Sequence, residues 1–221
     1  MAKRISPIKH PKAERVWHIQ LTMLAAIGLQ LALPDTFSFG SRYIIPAIEI
    51  LLLIALSFTT PKERIFRSFA RRINALLLIT ITTAANGYAL GSVADQLLKG
   101  GHVSNGRELI LAAINIYLTN VIIFALWYWE MDGGGPGERQ RIERYEQDFL
   151  FPQHQNESYK HPEWKPMFLD YLYISSTNAM AFSPTDTLPL SRRAKMLMLL
   201  QATVSLITIA LVAARAVNIL G

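Results

Sequence analysis

An all-α, polytopic bundle of transmembrane helices is the fold class that this sequence predicts, and three observations carry that expectation. The 221 residues are 51% hydrophobic and only 17% charged, with a mean hydropathy of +0.24, on the apolar side of the balance of soluble chains. The apolar residues fall in blocks of roughly 20, the length that spans a bilayer as a helix. Lysines and arginines cluster beside those blocks, as topology signals do. A soluble globule is thereby excluded, and the net charge of +6 reads as membrane orientation rather than as affinity for nucleic acid. The absence of cysteine excludes disulfide scaffolds, thiolate metal sites, cysteine nucleophiles and iron–sulfur ligation.

Taken in order, the chain opens with a basic tail holding Lys3, Arg4, Lys9, Lys12 and Arg15, then an apolar stretch from about Trp17 to Leu33. No small-x-small cleavage site follows, so this stretch is expected to be an uncleaved first span. Pro34 and Asp35 stop it, and a short loop leads to a second span from about Tyr43 to Phe58, which Pro61 ends. A second basic loop carries Lys62, Arg64, Arg67, Arg71 and Arg72. A third span then runs from about Ile73 into the Asp95 region, closed by Gly100, Gly101 and Asn105. The fourth, from Glu108 to about Trp127, ends in WYWEMDGGGPG. The first and third loops hold only Arg42, Lys99 and Arg107, against five basic residues in each of the other two segments. The positive-inside rule therefore predicts a cytoplasmic N-terminus. Trp17, Trp127 and Trp129 are expected at the cytoplasmic interface, and Phe37, Phe39 and Tyr43 at the outer one.

Residues 1–129 thus read as a four-span bundle, 130–166 as a polar cytoplasmic connector, and 167–221 as a half-helix followed by a last transmembrane helix. In the connector, Glu138 to Asp148 has charges at helical spacing and predicts a short surface helix or a solvated linker, and Phe149 to Pro152 dips back toward the headgroups. DGGGPG lacks the Lys and Ser/Thr of a phosphate loop and predicts a flexible span exit.

The last third has the most specific spacing. Thr177 to Asp186 reads TNAMAFSPTD, with Pro189 three residues after the Asp, Arg193 and Lys195 seven and nine after, and Ser205 nineteen after, inside an unbroken apolar helix from about Met196 to Leu220. This resembles the pore module of two-span potassium channels, over about a quarter of the chain. The resemblance sets Asp186 at the filter Asp, and Pro189, Lys195 and Ser205 at the following proline, the basic residue and the hinge of the inner helix. Phe182-x-x-Thr185-Asp186 and Ser191-Arg192, with the aromatic span end and the FP-containing connector, are closer still to a family of bacterial multi-spanning inner-membrane proteins of uncharacterised function. The filter equivalent, Ala181 to Thr185, departs from the channel pattern. It holds no glycine, and Pro184 fixes its own φ, so consecutive carbonyls cannot line an ion path in the potassium-channel manner.

If Met167 to Phe182 re-enters from the cytoplasm, Arg192, Arg193 and Lys195 stay inside; if it spans, they lie outside. The expectation is five spans plus a re-entrant half-helix, in preference to six spans. The pore-loop candidates are Thr177, Asn178, Ser183, Thr185 and Asp186, for which helix capping and turn chemistry is the competing role. Glu49, past Pro46 in the second span, is an ionisable group at membrane depth. Counting along the helices puts it roughly 10 Å below the outer face and, with the C-terminus outside, Arg215 about 8 Å below it, which predicts an intramembrane pair; a proton or cation site is the competing role, and with the C-terminus inside Arg215 snorkels to the cytoplasmic face and the pair is lost. Asn74, Asn86, Asn115, Asn120 and Asn218, with Thr80, Thr82 and Thr83, are expected to bond neighbouring helices. His10, His18, His102, His154 and His161 do not fall at metal-ligand spacing, and Asn156-Glu157-Ser158 is a glycosylation triplet on the cytoplasmic side. Asp170 has no paired acid or nucleophile, so neither an enzyme nor a cofactor is expected.

The function expected is that of a channel-like, ion-conducting or transport-related protein of the inner membrane; the competing class is a non-conducting structural or accessory subunit. Its partners would be the lipid bilayer, a monovalent cation and further copies of itself, since one pore loop cannot surround an ion path. Nucleic acid is not among them.

Overall fold

The computed structural model describes residues 17–58, 69–98, 106–139, 147–155, 164–183 and 186–220. The basic N-terminal tail, Lys62 to Arg67, the glycosylation triplet, Pro184 and Thr185 lie outside the described residues, as does most of the surface helix expected before Asp148. The described chain is all-α apart from one short ribbon. Its helices are α1 (Trp17–Leu31), α2 (Ile44–Phe58), α3 (Phe69–Leu98), α4 (Gly106–Met131), α5 (Pro136–Arg139), α6 (Pro152–Gln155), α7 (Phe168–Ala181) and α8 (Arg192–Leu220). Strands β1 (Phe149–Leu150) and β2 (Leu188–Pro189) pair antiparallel.

Three helices are long and apolar enough to cross a membrane, over Phe69–Leu98, Arg107–Gly134 and Arg192–Arg215. The helices α1 and α2 are apolar but shorter, 15 residues each, or about 22 Å against about 30 Å of hydrocarbon. Two helices start a turn earlier than hydropathy suggests. Ser191 caps α8, its Oγ accepting the Ala194 N–H at 3.1 Å, which pulls Arg192, Arg193 and Lys195 into the first turn. The cap is therefore Ser191 and not the SPTD segment. Arg71 is drawn into the first turn of α3 by an ion pair described below.

The helix at the centre is α4, packed by α1, α3, α7 and α8. Of its most apolar stretch 61% is buried, against 22% for α8, which lies at the edge. One apolar cluster joins Phe124, Leu126 and Tyr128 of α4 to Met23, Leu78, Tyr171, Ile174 and Met198. A second, toward the other end, joins Ile116 and Leu109 to Leu33, Phe37 and Val93. Between them the interior is polar: Gln30, Glu49, Thr82, Asn86, Asn120, Gln201 and Ser205 are buried, while Leu51, Ile54, Leu77, Leu118, Leu199 and Leu206 point outward. Hydrocarbon surroundings favour such an inversion, because they do not drive apolar groups inward and give unpaired polar groups no partner.

Of the Asn and Thr side chains expected to bond neighbouring helices, Asn74, Asn86, Asn115, Asn120, Thr82 and Thr83 do so, whereas Thr80 bonds Leu76 O in its own helix and the side chain of Asn218 lies outside those described. Asn74 Nδ2 donates to Leu52 O at 3.2 Å, Asn86 Nδ2 to Ile116 O at 3.3 Å and Asn115 Nδ2 to Leu29 O at 2.6 Å. Thr83 Oγ1 accepts from Trp127 Nε1 at 3.0 Å. Each such bond contributes on the order of 0.6 kcal/mol, so the contacts set register more than they supply stability. Trp129, expected at a lipid interface, is instead 4% exposed and edge-on to Phe168.

The direction of α7 follows from the ribbon. Phe149 pairs with Pro189 and Leu150 with Leu188, and the Leu190 N–H donates to Asp148 O at 2.8 Å. The chain therefore leaves α4, runs through α7, and returns to the same end of the bundle before entering α8. At that end DGGGPG is a tightly held turn, not the flexible exit expected. Gly133, Gly134 and Gly135 all have positive φ, at 57°, 81° and 100°, and a Cβ on Gly135 would sit 3.0 Å from Glu130 O. Asp132, at 0% exposure, ties the turn down: its carboxylate accepts the Asp148 N–H at 2.8 Å and the Tyr171 hydroxyl at 2.5 Å.

Candidate functional site

The pore-loop candidates do not converge. Thr177 Oγ1 bonds the carbonyls of Tyr173 and Ile174 within its own helix, at 3.0 Å each. Asn178 is buried and committed, its Nδ2 donating to Met198 O at 3.0 Å and to Gln201 Oε1 at 2.9 Å. Ser183 and Asp186 are exposed beyond the helix, Asp186 accepting the Thr187 hydroxyl at 3.2 Å. The helix itself ends at Phe182, which takes a left-handed conformation (φ 55°). Ser205, the hinge equivalent, is buried and accepts from Asn120 Nδ2 at 2.9 Å.

The polar face of α7 is occupied in the same way. Ser175 Oγ donates to Val121 O at 2.6 Å, and Gln201 Nε2 donates to Ser175 O at 2.9 Å. The Tyr128 hydroxyl donates to Gln201 Oε1 at 2.6 Å. These bonds join α4, α7 and α8 into one block, and of the described pore-loop candidates Asn178 is used to hold that block together.

Glu49 and Arg215 are not brought together either. Arg215 lies against Val93, Leu97, Leu109 and Leu211 near the far end of α8. Glu49 faces α1 and α3, where its Oε1 accepts from Gln30 Nε2 at 2.9 Å and lies 2.7 Å from Thr82 Oγ1. The intramembrane pair predicted from helix counting therefore gives way to two neutral partners. Glu49 meets α3 at Thr82, whereas Arg215 shares a cavity wall with Val93 and Leu97, 11 to 15 residues further along the same helix, or about 16 to 22 Å in depth, so the two groups lie at different levels of the bundle.

The buried ion pair is formed by residues that the sequence places in loops. Arg71 Nη2 meets Glu130 Oε1 at 2.8 Å and Nη1 meets Oε2 at 3.4 Å, with Glu130 at 0% exposure. This contact joins the start of α3 to the end of α4, in the antiparallel register that also sets Asn86 against Ile116. Arg139, likewise buried, donates to Trp129 O at 2.6 Å and Asp132 O at 2.7 Å, capping the last carbonyls of α4, and lies over the Tyr171 ring. Basic residues read as topology markers or linker charges thus act inside the fold.

What singles Glu49 out is its second oxygen. Glu49 is fully buried, and its Oε2 has no hydrogen-bond partner among the described residues. One bond away, Gln30 lines a small cavity with Phe37, Ser38, Arg42, Pro46 and Asn86, at the end of the bundle remote from the ribbon. Arg42, paired with Asp35 at 3.9 Å, stands in its wall. A water-accessible recess therefore ends on the side chain that holds a buried carboxyl. Comparison of the chain with protein families, curated proteins and solved structures finds no match, so the reading of this site rests on its own geometry.

Proposed function

We propose that this chain is a multi-pass membrane protein of the transport class, exchanging a monovalent cation at Glu49. In this reading the ribbon end is cytoplasmic, α7 re-enters from that side, and α1, α2, α3, α4 and α8 span. The basic residues flanking α1, α3 and α8 favour that orientation. The recess bounded by Gln30 and Arg42 then opens outward. One observation carries the proposal: a fully buried acid with an unpartnered oxygen lies one hydrogen bond behind an open recess. An ionisable group at such depth is costly unless it is paired or functional, and Glu49 has no cationic side chain in contact among the described residues.

A non-conducting structural or accessory subunit is the second reading, favoured by the saturated hydrogen bonding of α7, which suits a packing element. Flux measurements in proteoliposomes separate the two. The transport reading expects cation-coupled flux that Glu49→Gln abolishes and that Asp186→Asn leaves intact. Flux lost on Asp186→Asn would return the site to the pore loop, and absence of flux in the wild type would leave the accessory role.

A further inference from the structure

We infer that the ion held by Glu49 is a proton and that the resting form of this side chain is the neutral carboxylic acid. The inference rests on the reading that Glu49 is the exchange site, and it narrows the cation class. Three features support it.

The first is the donor set. The groups that meet Glu49 are an amide N–H of Gln30 and the hydroxyl of Thr82. Gln30 gives the carboxyl a hydrogen and Thr82 can either give or accept one, so the set has room for a carboxyl that itself carries a proton, whereas a bare metal cation needs a shell of about six oxygens. Among the described residues no group of three or more acids and histidines stands ready to build such a shell.

The second is a count of protons. Thr82 Oγ1 lies 2.7 Å from Glu49 Oε1 and 2.9 Å from Leu78 O, and a hydroxyl has one hydrogen to give. With Thr82 donating back to its own helix, as buried threonines do, the short contact to Oε1 is closed by a proton on the carboxyl. With Glu49 ionised, Thr82 must turn to it, and Oε2 remains an anionic oxygen with no hydrogen-bond partner among the described residues.

The third is the absence of compensating charge. The titratable side chains on the helices that pack against α2 are His18 on α1 and Arg71, Arg72, Tyr88 and Asp95 on α3. Arg71 is 11 residues from Thr82 and Asp95 is 13, or about 16 and 20 Å along the axis. Arg71 is held by Glu130, Tyr88 packs on Phe39, and across the recess Arg42 is held by Asp35. Among the described residues no charged side chain bonds or ion-pairs with the carboxyl, and a neutral acid needs no counter-charge. Gln30, with one end in the recess and its amide on the carboxyl, sits on the route for exchange.

Infrared spectroscopy of the protein in lipid nanodiscs tests this directly. Near neutral pH a protonated-carboxyl C=O band is expected that disappears in Glu49→Gln, moves to higher frequency in Thr82→Val as its hydrogen bond is lost, and is indifferent to replacing choline by sodium or potassium. The Thr82→Val shift assigns the band even where Glu49→Gln fails to fold. No band answering to either variant, or a band lost on adding sodium or potassium at fixed pH, would overturn the proton assignment. The band with no flux in proteoliposomes refutes the transport reading and leaves the protonated Glu49; flux without the band does the reverse.

Discussion

The two ends of this bundle treat a buried acid in opposite ways. At the ribbon end Glu130 faces a two-pronged guanidinium, and Asp132 is held by the Tyr171 hydroxyl and a backbone N–H, with Arg139 close by on the Asp132 carbonyl. Toward the opposite end Glu49 has two neutral neighbours on one oxygen and none on the other. The first arrangement locks α3, α4, α7 and the ribbon together; the second leaves a polar atom over. Equal burial thus does not mean equal surroundings, and the number of partners around the carboxyl separates the two acids at the ribbon end from Glu49.

The comparison is broken most severely at the ion pair. Removing one partner leaves the other charged and buried, so Arg71→Ala should cost about 3–5 kcal/mol, read as a lowered unfolding midpoint in detergent. Adding Glu130→Ala should recover part of that loss. Next comes Tyr171→Phe, which deletes the hydroxyl held by Asp132 at 2.5 Å and should cost about 1–3 kcal/mol. An unchanged midpoint would mean that the Asp132 latch does not hold α7.

A smaller, pH-dependent effect is expected at His154. Its ring packs on Phe151 and Trp164, and burial lowers its pKa below the ordinary value, an effect that the Asp132 charge opposes. The folded state therefore binds the proton less readily than the unfolded chain. Stability is complete above about pH 6.5 and is lost as pH falls through the lowered folded value. Limited proteolysis of the connector should quicken on acidification in the wild type and stay level in His154→Phe. The smallest effect belongs to Glu49→Gln. A neutral acid exchanged for a neutral amide should shift stability by only about 0.5 kcal/mol, whereas Glu130→Gln should behave as a broken ion pair. Equal losses from the two would erase the distinction between the ends.

Much of the architecture was legible in the chain. Blocks such as IIPAIEILLLIALSF and VSLITIALVAARAV are apolar but for Glu49, Arg215 and a few hydroxyls, and three helices of the structure are long and apolar enough to cross a membrane. The break in α7 was legible too, since MFLDYLYISSTNAMAF is short and hydroxyl-rich and is followed by proline and basic residues. The Asn and Thr contacts could be foreseen in kind though not in partner. Glu49 was visible as an ionisable residue in an apolar run. Its partner was not, because residue counting assumes helices of equal tilt and offset, whereas packing sets Glu49 at Thr82 and Arg215 beside Val93 and Leu97, 11 to 15 residues apart along α3. The DGGGPG turn was misread because glycine permits both mobility and tight positive-φ geometry. Only Asp148, Phe149 and Tyr171, distant in sequence, select the latter.

By itself, then, the sequence determined the helical class, the apolar blocks and the presence of an acid among them, because hydropathy and length are properties of local segments. Tertiary structure alone decided that Arg71 and Glu130 neutralise each other, that Asp132 clamps the ribbon end, and that Glu49 keeps a free oxygen behind Gln30. The reason is physical. A charge is stabilised by what surrounds it in three dimensions, and the groups that surround these three acids come from helices and turns separated by up to 59 residues of chain.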